Sequence, residues 1–230
     1  MLMNKIEEKI NKGGKLNIAH RGNCALEREN TMKAFRRALQ DEVDIIETDV
    51  RVTSDDVLVL VHNGREKNFG FIAKRTYRDL KKKFPEVVTV REFLEEFGDK
   101  VVTNFELKPK QKNIIENFMN EIRHYKHNVV VSSFDYKLLG QLRQYDSEIR
   151  LGVLVDRPFR KYFYIAKKID AYAIFFYYRL FLLGKFRKCK SLGYRIFVWC
   201  IPKKKLKTYA KSRYDGIITD YTHILKELIK

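Results

Sequence analysis

Residues 44–63 read DIIETDVRVTSDDVLVLVHN, two apolar, β-branched runs separated only by Thr53 to Asp56. A parallel crossover takes a dozen or more residues, so these two runs must form an antiparallel hairpin. Pairing Val52 with Val57 sets Asp49 opposite Leu60 and Glu47 opposite His62, bringing the histidine back to the level of two acids. Glu47 and Asp49, two residues apart, leave the strand on the same face.

Outward from this hairpin, short β-rich runs alternate with helical patterns, the signature of βα units around a parallel sheet. The runs predict parallel strands near 16–19, 44–49, 101–107, 128–133, 150–155, 171–176, 195–200 and 215–219. Helices are expected at 31–40, with Asn30 as N-cap, and at 90–97, 111–124, 135–145, 159–168, 181–191 and 203–212. Eight such units in about 200 residues is the least that closes a barrel. Four prolines, and no linker, repeat or low-complexity tract, mark no boundary. The expected architecture is therefore a single α/β domain over 1–230, a (β/α)₈ TIM barrel with an antiparallel hairpin after its second strand.

Composition narrows the class. Hydrophobic content of 45%, with 16 Phe and 13 Tyr, excludes a disordered chain. Three cysteines, Cys24, Cys189 and Cys200, have no paired or zinc-type spacing, which argues against a disulfide scaffold and reads as buried filler in a reducing compartment. The first ten residues carry charges where a signal peptide needs an apolar stretch, and the run from Ala171 to Phe186 is interrupted by Arg179. A cytoplasmic protein is expected. The net charge of +18 is concentrated in residues 157–214, where 17 basic residues face one acid, Asp170. Such a field attracts phosphate-bearing partners, and an anionic membrane surface is one reading, placing the protein peripherally on a membrane. Solvated lysine-rich helix faces are the other reading. No stacking motif of a nucleic-acid module is present, so no nucleic-acid partner is expected.

Barrel enzymes keep their reacting groups at the C-terminal ends of strands. Here those ends carry His20-Arg21-Gly22, Glu47 with Asp49, His62-Asn63, and Glu106 with Lys108. Glu47, Asp49 and Glu106 offer three hard oxygen donors, which suits one divalent cation, Mg²⁺ or Ca²⁺. The alternative is that each acid pairs with Arg21, Arg51 or Lys108. His20 and His62 titrate near neutrality and can exchange a proton between attacking and leaving oxygens. Arg21 and Lys108 suit phosphoryl oxygens, the first as a bidentate fork and the second as a point charge. His124, His127 and His223 read as packed or surface residues.

These residues, in this order, resemble the glycerophosphodiester phosphodiesterase family. The resemblance runs through Ile18-Ala-His-Arg-Gly22, Glu29-Asn-Thr31, the helix with Ala34, Phe35 and Ala38, and Ile46-Glu-Thr-Asp49. It continues through Thr53 and Asp55, Val57 to His62, Asn104-Phe-Glu-Leu-Lys108, Ser132-Ser-Phe134, Phe197-Val-Trp199 and Asp215-Gly-Ile-Ile-Thr-Asp220. It implies a barrel that hydrolyses small glycerophosphodiesters to an alcohol and glycerol 3-phosphate with a divalent cation. By position it implies His20 and His62 as the acid–base pair, and Glu47, Asp49 and Glu106 as metal ligands. Arg21 and Lys108 become phosphate ligands, Glu29 a neighbour of the site, and Trp199 a pocket aromatic.

Three departures stand out. Asn63 replaces the family's Asp after the second histidine, which bears on how His62 is oriented. Gly64 to Arg78 lacks the usual Arg-Thr-Thr run and looks shortened, so a less covered pocket would admit larger or lipid-bearing diesters. Cys200-Ile201-Pro202 replaces Thr-Val-Asn on the alcohol side. Two further functions fit the same sequence. One is a lysophospholipase-D-like activity, with Phe175-Phe-Tyr-Tyr178 and Phe181-Leu-Leu183 facing a membrane. The other is a non-catalytic binder of polyanions using the basic segment.

Overall fold

The computed structural model describes residues 2–158, 161–183 and 185–230. In chain order the elements are α1 (Leu2–Asn11), β1 (Leu16–His20), α2 (Met32–Gln40), β2 (Ile45–Val52), β3 (Leu58–Leu60), β4 (Arg65–Glu66), β5 (Gly70–Phe71), α3 (Tyr77–Lys83), α4 (Val90–Phe97) and β6 (Val102–Leu107). They continue with α5 (Ile114–Ile122), β7 (Val129–Ser133), α6 (Tyr136–Tyr145), β8 (Arg150–Val155), α7 (Tyr162–Lys168), β9 (Ala173–Tyr177), α8 (Lys185–Ser191), β10 (Arg195–Trp199), α9 (Leu206–Ala210), β11 (Gly216–Thr219) and α10 (Thr222–Leu228).

Strands β1, β2, β6, β7, β8, β9, β10 and β11 pair in parallel in that order, and β1–β11 pairing closes the circle. All eight expected strands are present and start within two residues of their expected positions, as the apolar runs dictate; β2 runs three residues longer than expected, to Val52. Inside the barrel, Phe175 and Phe197 meet with ring centroids 5.0 Å apart. They have room because Gly152 carries no side chain: a Cβ there would lie 2.3 Å from the Phe175 ring. At the opposite end from the site, Met3, Ile6 and Ile10 of α1 pack into the same cluster as Leu16, Ile18 and Ile45. Glu7 binds Tyr172 and Arg195, and Lys9 binds Asp44, all at the starts of strands, so α1 covers the barrel floor. Outside the barrel, Phe35, Phe93, Phe97, Phe105 and Phe118 form a chain of mostly edge-on contacts that seats α2, α4 and α5 on β2 and β6. Each such pair adds about 0.5–1.5 kcal/mol beyond its burial.

The hairpin forms as its spacing requires, one residue out of the expected register. Val52 pairs with Leu58 and Val50 with Leu60, so Asp49 faces Val61 and not Leu60. The Thr53 N–H donates to the Val57 carbonyl and Asp56 adopts a left-handed φ of 60°, so the turn closes over Ser54 to Asp56 and the pairing shifts by one. Asn30 is not the cap of α2. Thr31 is, its hydroxyl accepting from the Ala34 N–H, while Asn30 turns inward at φ 56°. The segment Gly64 to Arg78 holds the β4–β5 hairpin and a 3₁₀ turn, anchored by buried Ile72 against Val59, Leu80 and Val87. It packs beside the hairpin as an ordered layer.

The expected helix 159–168 begins at Tyr162, with residues 159 and 160 outside the described residues. That at 181–191 becomes a 3₁₀ turn, Tyr178–Leu183, followed by α8, with residue 184 outside the description. The membrane-facing reading of Phe175 to Tyr178 does not hold: Phe175, Phe176 and Tyr178 are buried, because β9 is a barrel strand covered by Phe197 within and by Tyr162 without. The side chains of residues 181–183 lie outside the described residues. Among the described residues, no helix is long and apolar enough to cross a membrane.

Candidate active site

Register decides what meets at the mouth of the barrel. His20 lies beside Glu47 and Asp49 beside Glu106, so the ends of β1, β2 and β6 deliver imidazole and carboxylates to one rim. The turn after β1 is tight. Arg21 adopts φ 55° and Gly22 φ 87°, and a Cβ on Gly22 would lie 2.6 Å from the backbone of Ala34. Only glycine tolerates that approach. The turn is pinned by the Arg21 N–H, which donates to the Glu47 carbonyl at 2.8 Å.

The three acids are buried, and one oxygen from each of Glu47, Asp49 and Glu106 lies within 4.8 Å of the others. Two cations share the cluster. Arg21 Nε is 2.9 Å and Lys108 Nζ 2.6 Å from the Asp49 carboxylate, and Lys108 also donates to Glu106. Asn30 adds an N–H to Asp49 at 3.1 Å while accepting from Thr48, fixing the carboxylate plane. Burial raises the Asp49 pKa, but Lys108 and Arg21 outweigh it and hold the carboxyl at about 2. Burial, with repulsion from Asp49, pushes Glu47 up to about 7 against the pull of His20 and Arg21. Glu106 is raised for the same reason, with Lys108 opposing. Repulsion from Asp49 helps to raise both Glu47 and Glu106, which is the repulsion that a cation between them would relieve, and the donors are all hard oxygens. The set fits a divalent cation of the Mg²⁺ or Ca²⁺ kind.

The two histidines sit in unlike surroundings. His20 Nδ1 lies 2.7 Å from Asp220 Oδ1. Burial disfavours its charge, yet Asp220, Cys200 and Glu47 prevail and raise its pKa well above 6.5. His62 follows β3, where Arg51 grips its carbonyl oxygen, and its Nδ1 lies 3.2 Å from Asn63 Oδ1. Burial lowers the His62 pKa, with Asp49 opposing. Asp220 beside one ring, and burial with Arg21 and Lys108 around the other, thus push the two apart.

The far side of the mouth is aromatic. Phe134, after β7, and Tyr177, at the end of β9, flank Trp199 at the end of β10, with ring centroids 5.6 and 5.0 Å from it. The Trp199 N–H donates to the Phe175 carbonyl at 3.1 Å, which fixes the indole. One half of the rim therefore handles charge, and the other offers flat apolar surface.

Every residue read from the sequence as a catalytic, phosphate-binding, pocket or metal-ligand candidate thus lies at this end of the barrel. Glu29 holds Arg21 at 2.6 Å. Arg21 and Lys108 pair with the carboxylates, so both alternatives read for those acids, ion pairing and a cation cluster, share one site. Arg51, read as a possible partner of the acids, donates to the His62 carbonyl instead. Two residues that sequence reasoning did not select are Asn30 and Asp220. Asp220 ends the Asp215-to-Asp220 motif, and its place after the last strand was the available signal. Cys189 is buried filler as expected, but Cys24 and Cys200 are only half-buried and border His20.

Comparison with known proteins identifies the family and the fold. The sequence pattern of the Glycerophosphoryl diester phosphodiesterase family matches residues 20–224. A glycerophosphodiester phosphodiesterase from Caldanaerobacter subterraneus subsp. tengcongensis is 30% identical over 235 residues, covering 93% of this chain and 97% of that protein. The crystal structure of a glycerophosphodiester phosphodiesterase from Thermotoga maritima superposes with a TM-score of 0.81 at 25% identity, covering 93% of this chain and 98% of that one. An Oleispira antarctica phosphodiesterase in complex with the product sn-glycerol-3-phosphate has the same fold, with a TM-score of 0.80 at 22% identity over 95% of this chain and 98% of that one.

Proposed function

The chain belongs to the glycerophosphoryl diester phosphodiesterase family, and on that premise we propose that it hydrolyses glycerophosphodiesters to an alcohol and glycerol 3-phosphate with His20 and His62 as its acid–base pair. The observation that carries this reading is the meeting of His20, Glu47, Asp49 and Glu106 at one rim, with His62 returned there by the hairpin. Glu47, Asp49 and Glu106 would hold one divalent cation, Mg²⁺ or Ca²⁺, which when bound would supply Lewis-acid stabilisation of charge on the phosphoryl group.

The chain's own residues do the rest. Arg21 and Lys108 supply positive charge to the phosphoryl group from the same rim as the acids. His20, held by Asp220 in one orientation, keeps its Nε2 free for the reacting oxygens. His62 takes or returns the second proton, its backbone fixed by Arg51. Preorganised charge of this kind is usually the largest catalytic term. Phe134, Tyr177 and Trp199 bind the organic part of the diester and exclude water from that side.

The test is turnover of glycerophosphocholine with Mg²⁺ or Ca²⁺, with and without EDTA. Activity that EDTA removes and that is lost in His20→Ala and His62→Ala is expected. A panel of glycerophosphodiesters and lysophospholipids with no EDTA-sensitive turnover would overturn the assignment.

A second reading extends the substrate to lipid-bearing diesters at a membrane surface. Exposed Arg157, Lys161, Arg179, Lys203, Lys204 and Lys205 follow β8, β9 and β10, so positive charge rims the aromatic half of the mouth. Anionic headgroups attract such residues at about 1 kcal/mol each near the surface. Flotation with phosphatidylserine liposomes, lost at high salt, is expected. Indifference to anionic lipid would dispose of it.

A further inference from the structure

Three donor atoms of different kinds meet behind His20. His20 Nδ1 lies 3.5 Å from Cys200 Sγ and 2.7 Å from Asp220 Oδ1, and the thiol lies 3.7 Å from the same carboxylate oxygen. All three side chains are half-buried, and they form a cluster separate from the Glu47, Asp49 and Glu106 set. A tetrahedral Zn²⁺ with bonds of about 2.3 Å to sulfur and about 2.0 Å to nitrogen and oxygen needs ligand edges of about 3.5 Å to sulfur and about 3.3 Å between nitrogen and oxygen. The two sulfur edges already match. Only the His20–Asp220 edge must open, by about 0.6 Å.

We propose that His20 Nδ1, Cys200 Sγ and Asp220 Oδ1 form a second, inhibitory metal site for a thiophilic divalent ion such as Zn²⁺. The chemistry separates it from the carboxylate cluster. A thiolate and an imidazole select a softer ion than Mg²⁺ or Ca²⁺, whereas three carboxylates select the harder ones. On binding, the Cys200 thiol and the His20 Nδ1–H that faces Asp220 each give a proton to solvent, and the fourth position is left to water. The neighbouring charges are mixed, Glu47 favouring a cation and Arg21 opposing it. Cys24 is not a competing ligand, since its thiol donates to the carbonyl oxygens of His20 and Arg21 at 2.9 and 3.4 Å.

Occupation has a direct consequence for His20. A ring metallated at Nδ1 keeps its remaining proton on Nε2 and has no lone pair there to accept another. It also loses Asp220 as its orienting partner. The ion therefore stops proton exchange without touching the substrate side of the site. This inhibitory effect rests on the role of His20 proposed above; the coordination itself does not.

Cobalt(II) tests the site on the full chain with Mg²⁺ saturating. An intense thiolate-to-cobalt band in the near ultraviolet is expected, saturating at one ion per chain, displaced by Zn²⁺, absent in Cys200→Ser and retained in Cys24→Ser. No such band in the unaltered protein, or a band that survives in Cys200→Ser, overturns the site. In parallel, Zn²⁺ should suppress turnover of glycerophosphocholine despite excess Mg²⁺, with Cys200→Ser requiring about 10–100-fold more Zn²⁺ for the same fractional loss. Full turnover with the cobalt-competent site filled by Zn²⁺ would overturn the inhibitory role. Absence of turnover even without Zn²⁺ would instead count against the phosphodiesterase assignment, leaving the cobalt spectrum to decide the site.

Discussion

Arg51 donates two hydrogen bonds, at 3.0 and 2.7 Å, to the carbonyl oxygen of His62. The guanidinium leaves β2 two residues after Asp49 and reaches across the hairpin, so the strand that carries two acids also sets the backbone of the second imidazole. Arg51→Met removes both bonds. We expect kcat to fall by about 100-fold, the cost of displacing a reacting group by an ångström, with KM changed little. Steady-state kinetics checks this, and a proportionate rise in KM with kcat intact would refute the positioning role.

Asp220 should control the titration of His20. Its carboxylate favours the imidazolium, so the ring holds its proton to a higher pH than an unperturbed histidine. Asp220→Asn removes that charge and should bring the His20 pKa down, moving the alkaline limb of the pH–rate profile to lower pH. Two-dimensional NMR of the ring carbons reads it directly, and an unchanged titration would contradict the pairing.

Asn63→Asp should act oppositely on His62. Burial lowers that ring's pKa, and the neutral amide 3.2 Å away does little to compensate. A carboxylate at the same place should raise it, and the acidic limb of the profile should shift upward with it.

Divalent ions should stabilise the fold through the carboxylate cluster. At 100 times its dissociation constant, Mg²⁺ or Ca²⁺ should add about 2.7 kcal/mol to the unfolding free energy. Glu106→Gln should lose most of that gain while leaving a folded barrel. Urea titrations with and without the ion, and with EDTA, measure it.

Gly152→Ala tests the barrel interior. The added methyl meets the Phe175 ring at 2.3 Å, and overpacking of this kind costs about 1–3 kcal/mol. Phe175→Leu in the same chain should recover part of the loss.

The barrel was legible in the sequence because its signals are local. Apolar runs such as those of β7 and β8 have few competing readings, and the brevity of the link between Val52 and Val57 leaves only a hairpin. Its register was not legible, since the left-handed Asp56 lets the turn close over three residues, with Thr53 joined to Val57, and periodicity does not encode that. The acids and histidines are legible because each stands near the C-terminal end of an apolar run, although β2 itself continues past Glu47 and Asp49 to Val52. Asn30 was taken for a helix cap because Asn is an ordinary cap, while its actual bonds, to Thr48 and Asp49, span 18 and 19 residues. Cys200 and Asp220 were harder still. They meet His20 only because the barrel closes, 180 and 200 residues further along the chain.

That closure divides the site along the chain. The seam between β1 and β11 joins the first barrel strand to the last. Glu47, Asp49 and Glu106 lie on adjoining strands that are complete by Leu107. The carboxylate that orients the first histidine, Asp220, comes only after the last strand, so the acidic cluster is encoded in the first half of the chain while the orientation of His20 depends on the final one.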